Sequence, residues 1–392
     1  MHSFLVLSPL GIKYERGWQE LVWNISDKKF KNYEISHSVP DIKGFRLEDS
    51  NRGDHAVLAV LLHAMQQRSD IIIEGKVSPK LLEGLERLQA IWNRWRPERY
   101  HLITIKPEEE SELELGHDRP AIFAFSGGVD ASFSLFRHLR RHSGRNTRKP
   151  GGALLIHGMD IPLEQEDFFI RAAERAERML VDTNVPLFRM RTNTRLIGQN
   201  WEDSFGLQLC ACFLVLQRFF SVAVKGSEEP YDSLIFPWGS TPLTDQLCSS
   251  FAMKIEHDGC GFDRTEKVQW LCRNTEITHD IRVCWEGSIL YENCGKCEKC
   301  VRTMLNFWAT KQTVPICFPE KLTSELIKTI TLRKKIHFLE YRSIYRHASE
   351  YYSENNSNMR AVQCIILRYL FMDFKRKLRQ LFNLITKRIK TF

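Results

Sequence analysis

No apolar run in the 392-residue chain approaches the roughly 18–20 residues that span a bilayer, so a membrane crossing is not expected. The basic start and long apolar core of a secretory signal are missing too, since Met1 is followed by His-Ser-Phe-Leu-Val-Leu-Ser-Pro. There is no internal repeat and no low-complexity tract, which argues against a solenoid or a simple linker protein. Two common nucleotide fingerprints are absent: no glycine-rich loop ends in Gly-Lys-Ser/Thr, and no Gly-x-Gly-x-x-Gly follows a strand pattern. The folded body has little excess positive charge. Of a net +8, residues 361–392 hold eight Lys/Arg against one Asp, which leaves about +1 for the rest, too little for a general nucleic-acid binder. These exclusions leave a soluble, cytoplasmic chain, and its 43% hydrophobic content is enough to bury a large core.

Eleven cysteines in such a chain point to metal binding or buried packing rather than a disulfide framework. Four of them, Cys284, Cys294, Cys297 and Cys300, are spaced C-x9-C-x2-C-x2-C. Each C-x2-C pair can place two thiolates on one ion, and four thiolates complete a tetrahedral zinc site with no open position. An iron–sulfur cluster is the competing occupant. Of Cys210, Cys212, Cys248, Cys260, Cys272, Cys317 and Cys364, which are scattered through apolar context, most are expected to be buried packing residues.

The periodicity divides the chain into three regions. Residues 1–115 form an α+β accessory region, with strands at Phe4–Leu7 and Ile71–Ile73 and an amphipathic helix over Pro79–Trp95; acidic residues 108–112 read as a linker. Residues 116–312 alternate strands (Ala121–Phe125, Ala153–His157, Pro186–Met190, Ser233–Phe236) with helices (Asp130–Arg141, Gln165–Val181, Phe205–Val224). That rhythm predicts an α/β fold, a doubly wound parallel sheet whose ligand sits at the carboxyl ends of the strands. Residues 313–392 form a helical, basic extension, with Leu370, Phe371, Phe374, Leu378, Leu381, Phe382, Ile385 and Ile389 on one stripe. That stripe suits a protein partner, an anionic membrane or RNA.

The first strand of the middle region runs into Ser126-Gly127-Gly128-Val129-Asp130-Ala131-Ser132. Adjacent glycines let successive N–H groups converge on one anion, and the helix start adds roughly half a positive charge. Ser126 and Ser132 offer hydroxyl donors; Asp130 can brace the loop or help hold Mg²⁺.

This loop resembles the pyrophosphate-binding loop of the N-type ATP pyrophosphatases (PP-loop enzymes), which implies the adenine nucleotide alpha-hydrolase-like fold. The family usually has a hydroxyl residue directly after the aspartate, where this chain has Ala131, with Ser132 one place later. Taken with the cysteine cluster, the resemblance narrows to 7-cyano-7-deazaguanine synthase and covers residues 120–310. The gap between the first two cysteines is about one residue longer here. The resemblance implies ATP, Mg²⁺ and Zn²⁺, adenylation of a 7-carboxy-7-deazaguanine-like carboxylate with release of pyrophosphate, and then C–N bond formation with an amine donor. It assigns ATP to Ser126, Gly127, Gly128, Val129, Asp130, Ser132, His157 and Gly158, and catalysis to Asp130, Arg264 and Lys267, with Glu266 as a helix-opening match. His257 is either a base or a loop histidine satisfied by its neighbours; Trp285 is either a core residue or a platform for a flat heterocycle. The added terminal regions look like those of enlarged synthase-like proteins in anti-phage systems, which implies a partner protein. A tRNA-thiolating enzyme and a silent nucleotide-binding scaffold are the rival expectations.

Overall fold

In the computed structural model residues 3–27, 30–48, 50–116 and 118–389 are described, and the chain divides into two compact units, Met1–Gly261 and Phe262–Phe392. The first unit runs β1 (Ser3–Glu15), β2 (Trp18–Asp27), β3 (Phe30–Pro40), α1 (Asp54–Gln67), β4 (Ser69–Val77), α2 (Pro79–Trp95) and β5 (Ile105–Glu110). It continues with β6 (Ala121–Ala124), α3 (Val129–Leu139), β7 (Pro150–His157), α4 (Glu166–Leu180), β8 (Leu187–Thr192), α5 (Trp201–Val215), β9 (Val222–Gly226) and β10 (Lys254–Asp258).

Among the described residues these strands form one ten-stranded sheet in the order β10-β9-β6-β7-β8-β3-β2-β1-β4-β5. The pairs β1/β2, β2/β3 and β3/β8 are antiparallel and the others parallel. Parallel neighbours need crossover connections, which α3 and α4 supply between β6, β7 and β8. The chain then returns to the other side of β6 to lay down β9, so the strand order reverses between β6 and β9. Such a reversal opens a crevice at the carboxyl ends of the strands.

The N-terminal strands share this sheet. β3 meets β8 through His37 opposite Thr192 and Ser38 opposite Arg191. Side chains seal the joint: Asn193 Oδ1 accepts from Ser36 N at 2.8 Å, its Nδ2 donates to Glu34 O at 2.9 Å, and Thr192 Oγ1 donates to Ser36 O at 3.0 Å.

Helix α2 has the expected bounds, because its stripe Leu81, Leu85, Leu88 and Trp92 is fully buried and Ser78 caps it by accepting from Leu81 N. Each such side chain contributes about 1.5–3 kcal/mol by leaving water. Gly84 lies on the same helix, where an added Cβ would be 2.0 Å from Leu247 O, so α2 closes onto the short turn Asp245–Cys248 only because that position is glycine.

Several expected elements are corrected. The predicted helix Phe205–Val224 is two elements, α5 and β9, since only Gln217, Arg218 and Ser221 interrupt the apolar residues between them and leave periodicity little with which to mark the turn. Ser233–Phe236 is not a strand: Tyr231–Ser233 is a 3-10 turn followed by loop. The acidic stretch 108–112 is not a free linker, as β5 runs through Glu110. It forms an edge strand whose carboxylates remain in solvent, which discourages further pairing. Lys76 Nζ meets Glu109 at 3.2 Å, and Glu112 accepts from Ser78 Oγ at 2.6 Å. Helix α1 gave no amphipathic signal because it is apolar on nearly every face and buried from Asp54 to Leu62.

Between α1 and β3 lies a buried imidazole pair, His55 from the helix and His37 from the strand. The rings of His37 and His55 meet edge to face at 5.2 Å, and Trp23 abuts His55 at 5.7 Å. Neither nitrogen of His37 has a hydrogen-bond partner, and burial lowers its pKa to about 3.

The second unit contains α6 (Arg264–Asn274), α7 (Glu298–Ala309), α8 (Ser324–Thr329), α9 (Lys335–Ser349) and α10 (Ser357–Ile389). Thr265 Oγ1 donates to Asn306 Oδ1 at 2.8 Å and pins α6 to α7. Of the predicted apolar stripe on α10, the side chains of Leu381, Phe382, Ile385 and Ile389 lie outside the described residues.

Candidate functional site

Strand β6 is buried and hands the chain to Phe125, whose N–H still pairs with Leu154 O at 2.8 Å. The backbone then turns. Gly127 adopts φ +74°, a left-handed conformation that favours glycine, and Gly128 (φ −81°, ψ 170°) is the N-cap of α3. A glycine cap supplies no side-chain acceptor, so this helix start is closed by no capping hydrogen bond. Ser132, in the first turn, is fully buried, and its Oγ has no hydrogen-bond partner. A buried hydroxyl left unbonded is costly and suits a group that receives a ligand oxygen. The loop therefore lies beside the β6/β9 reversal with a left-handed glycine, a helix start without a side-chain cap and one unbonded buried hydroxyl.

Gly226, the last residue of β9, holds the first turn of α3 in place: an added Cβ would lie 2.5 Å from Asp130 O and 2.7 Å from its carbonyl carbon. Sequence reasoning missed this glycine, because only the pairing of β9 beside β6 reveals what it must approach.

A buried polar network that periodicity also missed lines the ends of β9 and β10. Lys225 and His257 are register partners, so they project from the same face of the sheet. Lys225 Nζ donates to Ser240 Oγ and sits 4.7 Å from the Phe205 ring centre. Ser240 Oγ donates to Asp245 Oδ2 at 2.6 Å, and His257 Nδ1 lies 2.7 Å from the same oxygen. Burial works against charge on His257, but the hydrogen bond with Asp245 reverses this and raises its pKa above the ordinary value. Burial likewise opposes charge on Asp245, while Lys225 and His257 hold it ionised below the usual carboxylate range. His257 is thus held by Asp245.

His157 is engaged within the fold: its Nε2 lies 2.8 Å from Pro162 O, and its ring stacks on Phe169 at 4.4 Å with a 7° tilt. Gly158 has φ +97°, and a Cβ there would meet Thr192 O at 1.9 Å, so glycine is required where β7 passes the end of β8.

The remaining predicted residues belong to the second unit. Arg264 and Lys267, one turn apart on α6, are both buried. Glu266 closes a capping box with Asp263: Glu266 N donates to Asp263 Oδ1 at 2.9 Å, and Asp263 N donates to Glu266 Oε2 at 2.8 Å. Asp263 Oδ2 also takes Ser343 Oγ at 2.6 Å, Arg346 Nη2 at 2.9 Å and His347 Nε2 at 2.8 Å, all from α9. Although Asp263, Glu266 and His347 offer ligand atoms within 4.8 Å of one another, these oxygens are already occupied by N–H and O–H donors, one of them a guanidinium. The cluster is a latch between α6 and α9. Burial pushes the Asp263 pKa up, and the hydrogen bonds from His347 and Ser343 more than reverse it; His347 is raised in return by Asp263. The Asp263 contribution is lost as pH falls through its depressed value, and the His347 contribution as pH rises through its raised one. Asp263→Ala is expected to destabilise the second unit by about 2–3 kcal/mol, seen as faster hydrogen exchange confined to the amides of α6 and α9.

The four cysteines converge as their spacing requires. Four sulfurs about 2.3 Å from one tetrahedral ion lie about 3.8 Å apart. Cys284 and Cys297 Sγ are separated by 3.8 Å, Cys294 and Cys300 Sγ by 3.9 Å, and all four fall within 4.8 Å of one another. That spacing fits a single ion such as zinc and is too tight to surround a four-iron cube. Gly295 (φ +74°) makes the knuckle turn, after which Lys296 N and Cys297 N donate to Cys294 Sγ at 3.4 and 3.3 Å. Hydrogen bonds from Cys297 and Cys300 hold the Cys284 thiol far below its ordinary range, while the contact with Cys284 pushes Cys297 up to about 12. A central cation, held by the four sulfurs, would replace these shared protons.

Buried Asn293, not singled out from the sequence, is the strut. Its Oδ1 accepts from Val283 N at 2.9 Å and Cys284 N at 3.3 Å; its Nδ2 donates to Ile281 O at 2.8 Å and Cys317 O at 3.1 Å. Trp285 is 57% exposed, which corrects its reading as a core residue. Of the other cysteines, Cys210, Cys212, Cys248 and Cys260 are buried as expected, Cys272 and Cys317 are half-buried, and Cys364 is exposed.

Fold and site together define an α/β chain with a sheet reversal beside a glycine-rich loop and a four-cysteine centre able to hold a metal ion such as zinc. No protein-family model, no curated protein and no solved structure matches the chain. No helix among the described residues is long and apolar enough to cross a membrane.

Proposed function

We propose that this protein is an ATP-dependent enzyme of the PP-loop type, which transfers AMP to a substrate carboxylate and then lets an amine displace it, as in 7-cyano-7-deazaguanine synthase. The observation that carries this reading is the loop Ser126–Ser132 at the β6/β9 reversal, with Gly127 left-handed, an uncapped helix start and the unpartnered Ser132 hydroxyl. Backbone amides and the Ser132 hydroxyl bind the departing pyrophosphate, and the helix start favours its charge. Ser132 takes the part of the hydroxyl that usually follows the aspartate. Asp130 braces the loop and offers a carboxylate to Mg²⁺, which neutralises phosphate charge when bound. The resemblance to the synthases also assigns catalysis to Arg264 and Lys267, which are buried on α6 of the second unit. The cysteine centre is structural, since four thiolates leave no position open for a substrate.

The thiolation reading gains no support, because all four cysteines of the first unit, Cys210, Cys212, Cys248 and Cys260, are buried. Full-length protein incubated with ATP, Mg²⁺ and 7-carboxy-7-deazaguanine is expected to release pyrophosphate only when the carboxylate is present. Asp130→Ala is expected to slow that release about a hundredfold or more. Release that is independent of the carboxylate, or unchanged in the variant, rejects the assignment.

A further inference from the structure

Helix α10 has two apolar faces. Met359, Val362, Ile365 and Tyr369 recur at three- and four-residue spacing and are buried, with Tyr369 stacked on Phe338 of α9 at 4.9 Å. Leu367, Leu370, Phe371, Phe374 and Leu378 recur in the same way but lie about half a turn around the helix, and they are 45–60% exposed. The second stripe does not continue the first. Beyond Tyr369 the body-facing side carries Asp373 and Arg376, so the helix leaves the core while its opposite face turns apolar. No other described part of the first or second unit leaves two exposed phenylalanines one turn apart.

Basic side chains flank this stripe. Lys375, Lys377 and Arg379 are exposed, and Lys375 Nζ lies 4.4 Å from the Phe371 ring centre. Asp373, the one acid of residues 361–392, is bonded to Arg376 and to Lys377 at 2.8 Å, which leaves a strong positive excess. A second copy of the chain would cover the stripe only by bringing two such charged segments together. RNA would satisfy the charge and leave the leucines in water. An anionic bilayer surface satisfies both, because rings and leucines enter the acyl boundary while Lys and Arg stay among lipid phosphates.

We propose that the distal part of α10 is an interfacial helix that lies flat on an anionic lipid bilayer, inserting Leu367, Leu370, Phe371, Phe374 and Leu378 and anchoring through Lys375 and Arg379. No helix among the described residues is long and apolar enough to cross a membrane, so the contact proposed is with the surface alone. This inference is independent of the activity proposed for the loop.

The test is co-sedimentation of the full chain with vesicles of pure phosphatidylcholine and with vesicles containing about one third phosphatidylglycerol. Binding to the anionic vesicles is expected to exceed binding to the neutral ones by about tenfold or more, and to weaken with added salt. Phe371→Ser/Phe374→Ser and Lys375→Glu/Arg379→Glu are each expected to lower anionic binding about tenfold or more without moving the melting temperature, since all four residues are exposed. Equal binding to both vesicle types, or unaltered binding by the phenylalanine pair, overturns the proposal. So does a dimer that Phe371→Ser/Phe374→Ser dissolves, or tRNA binding that survives where vesicle binding fails.

Discussion

Replacing Cys297 by serine is expected to strip the metal from the chain and to loosen the segment from Ile281 to Cys300. Wild-type protein grown with zinc should carry one ion per chain by native mass spectrometry, and the variant markedly less. The effect is large because the four sulfurs lie within 4.8 Å of one another, on a segment whose regular structure is confined to the start of α7. Without an ion the cluster concentrates thiolate charge, which the struts of the loop, Asn293 and the Arg282 Nη1 bond to Leu290 O at 2.9 Å, do not neutralise. In small zinc domains the ion contributes about 10–16 kcal/mol of folding free energy, so losing one ligand should cost several kcal/mol here. Hydrogen exchange should rise from 281 to 300, and a chelator should reproduce the change in wild type. Cys364→Ser, at an exposed position on α10, should alter neither readout. A wild-type chain that holds no metal, with all four thiols reactive, would sink the metal centre while leaving the loop untouched.

The second large effect belongs to His37. Its pKa falls from the ordinary value near 6.5 to about 3 on folding, so the unfolded chain binds the proton between those limits and the folded chain does not. Stability from this group is complete above the unfolded pKa and is lost as pH falls toward the folded one. At pH 4 the loss amounts to about 3 kcal/mol, and His55, buried beside it and also lowered, adds in the same direction. His37→Leu removes the titrating ring and its two unbonded nitrogens from a fully buried site. Urea denaturation at pH 7 and pH 4 is expected to show the variant as stable as wild type at neutral pH, or more so, and distinctly more stable in acid. Parallel losses in the two proteins would mean that the imidazole pair is open to water in the folded state.

Local signals were legible wherever physics confines them to a few neighbouring residues. The C-x2-C pairs lie within a knuckle that Gly295 can turn, so their convergence needed no distant partner. Helix α2 showed its stripe because one face meets core and the other meets water. The Ser126–Ser132 turn announced itself through paired glycines after a buried strand. Where that contrast weakened, periodicity failed: α1 is apolar on nearly every side, α5 passes into β9 across a short link in which only Gln217, Arg218 and Ser221 are polar, and β5 is an edge strand clothed in carboxylates. Trp285 failed in the opposite way, as an aromatic residue left in solvent.

From the order of residues came the glycine turn, the four thiolates and the basic apolar tail, each a consequence of short-range chain geometry. Folding alone could join β3 to β8, seat Gly226 against the first turn of α3, enclose His37 with His55, and bring Lys225, Ser240, Asp245 and His257 into one buried network. Those pairings connect segments far apart in the chain, and whether a charge or an imidazole is exposed or dry depends on which strands become neighbours, a property no local window of sequence contains.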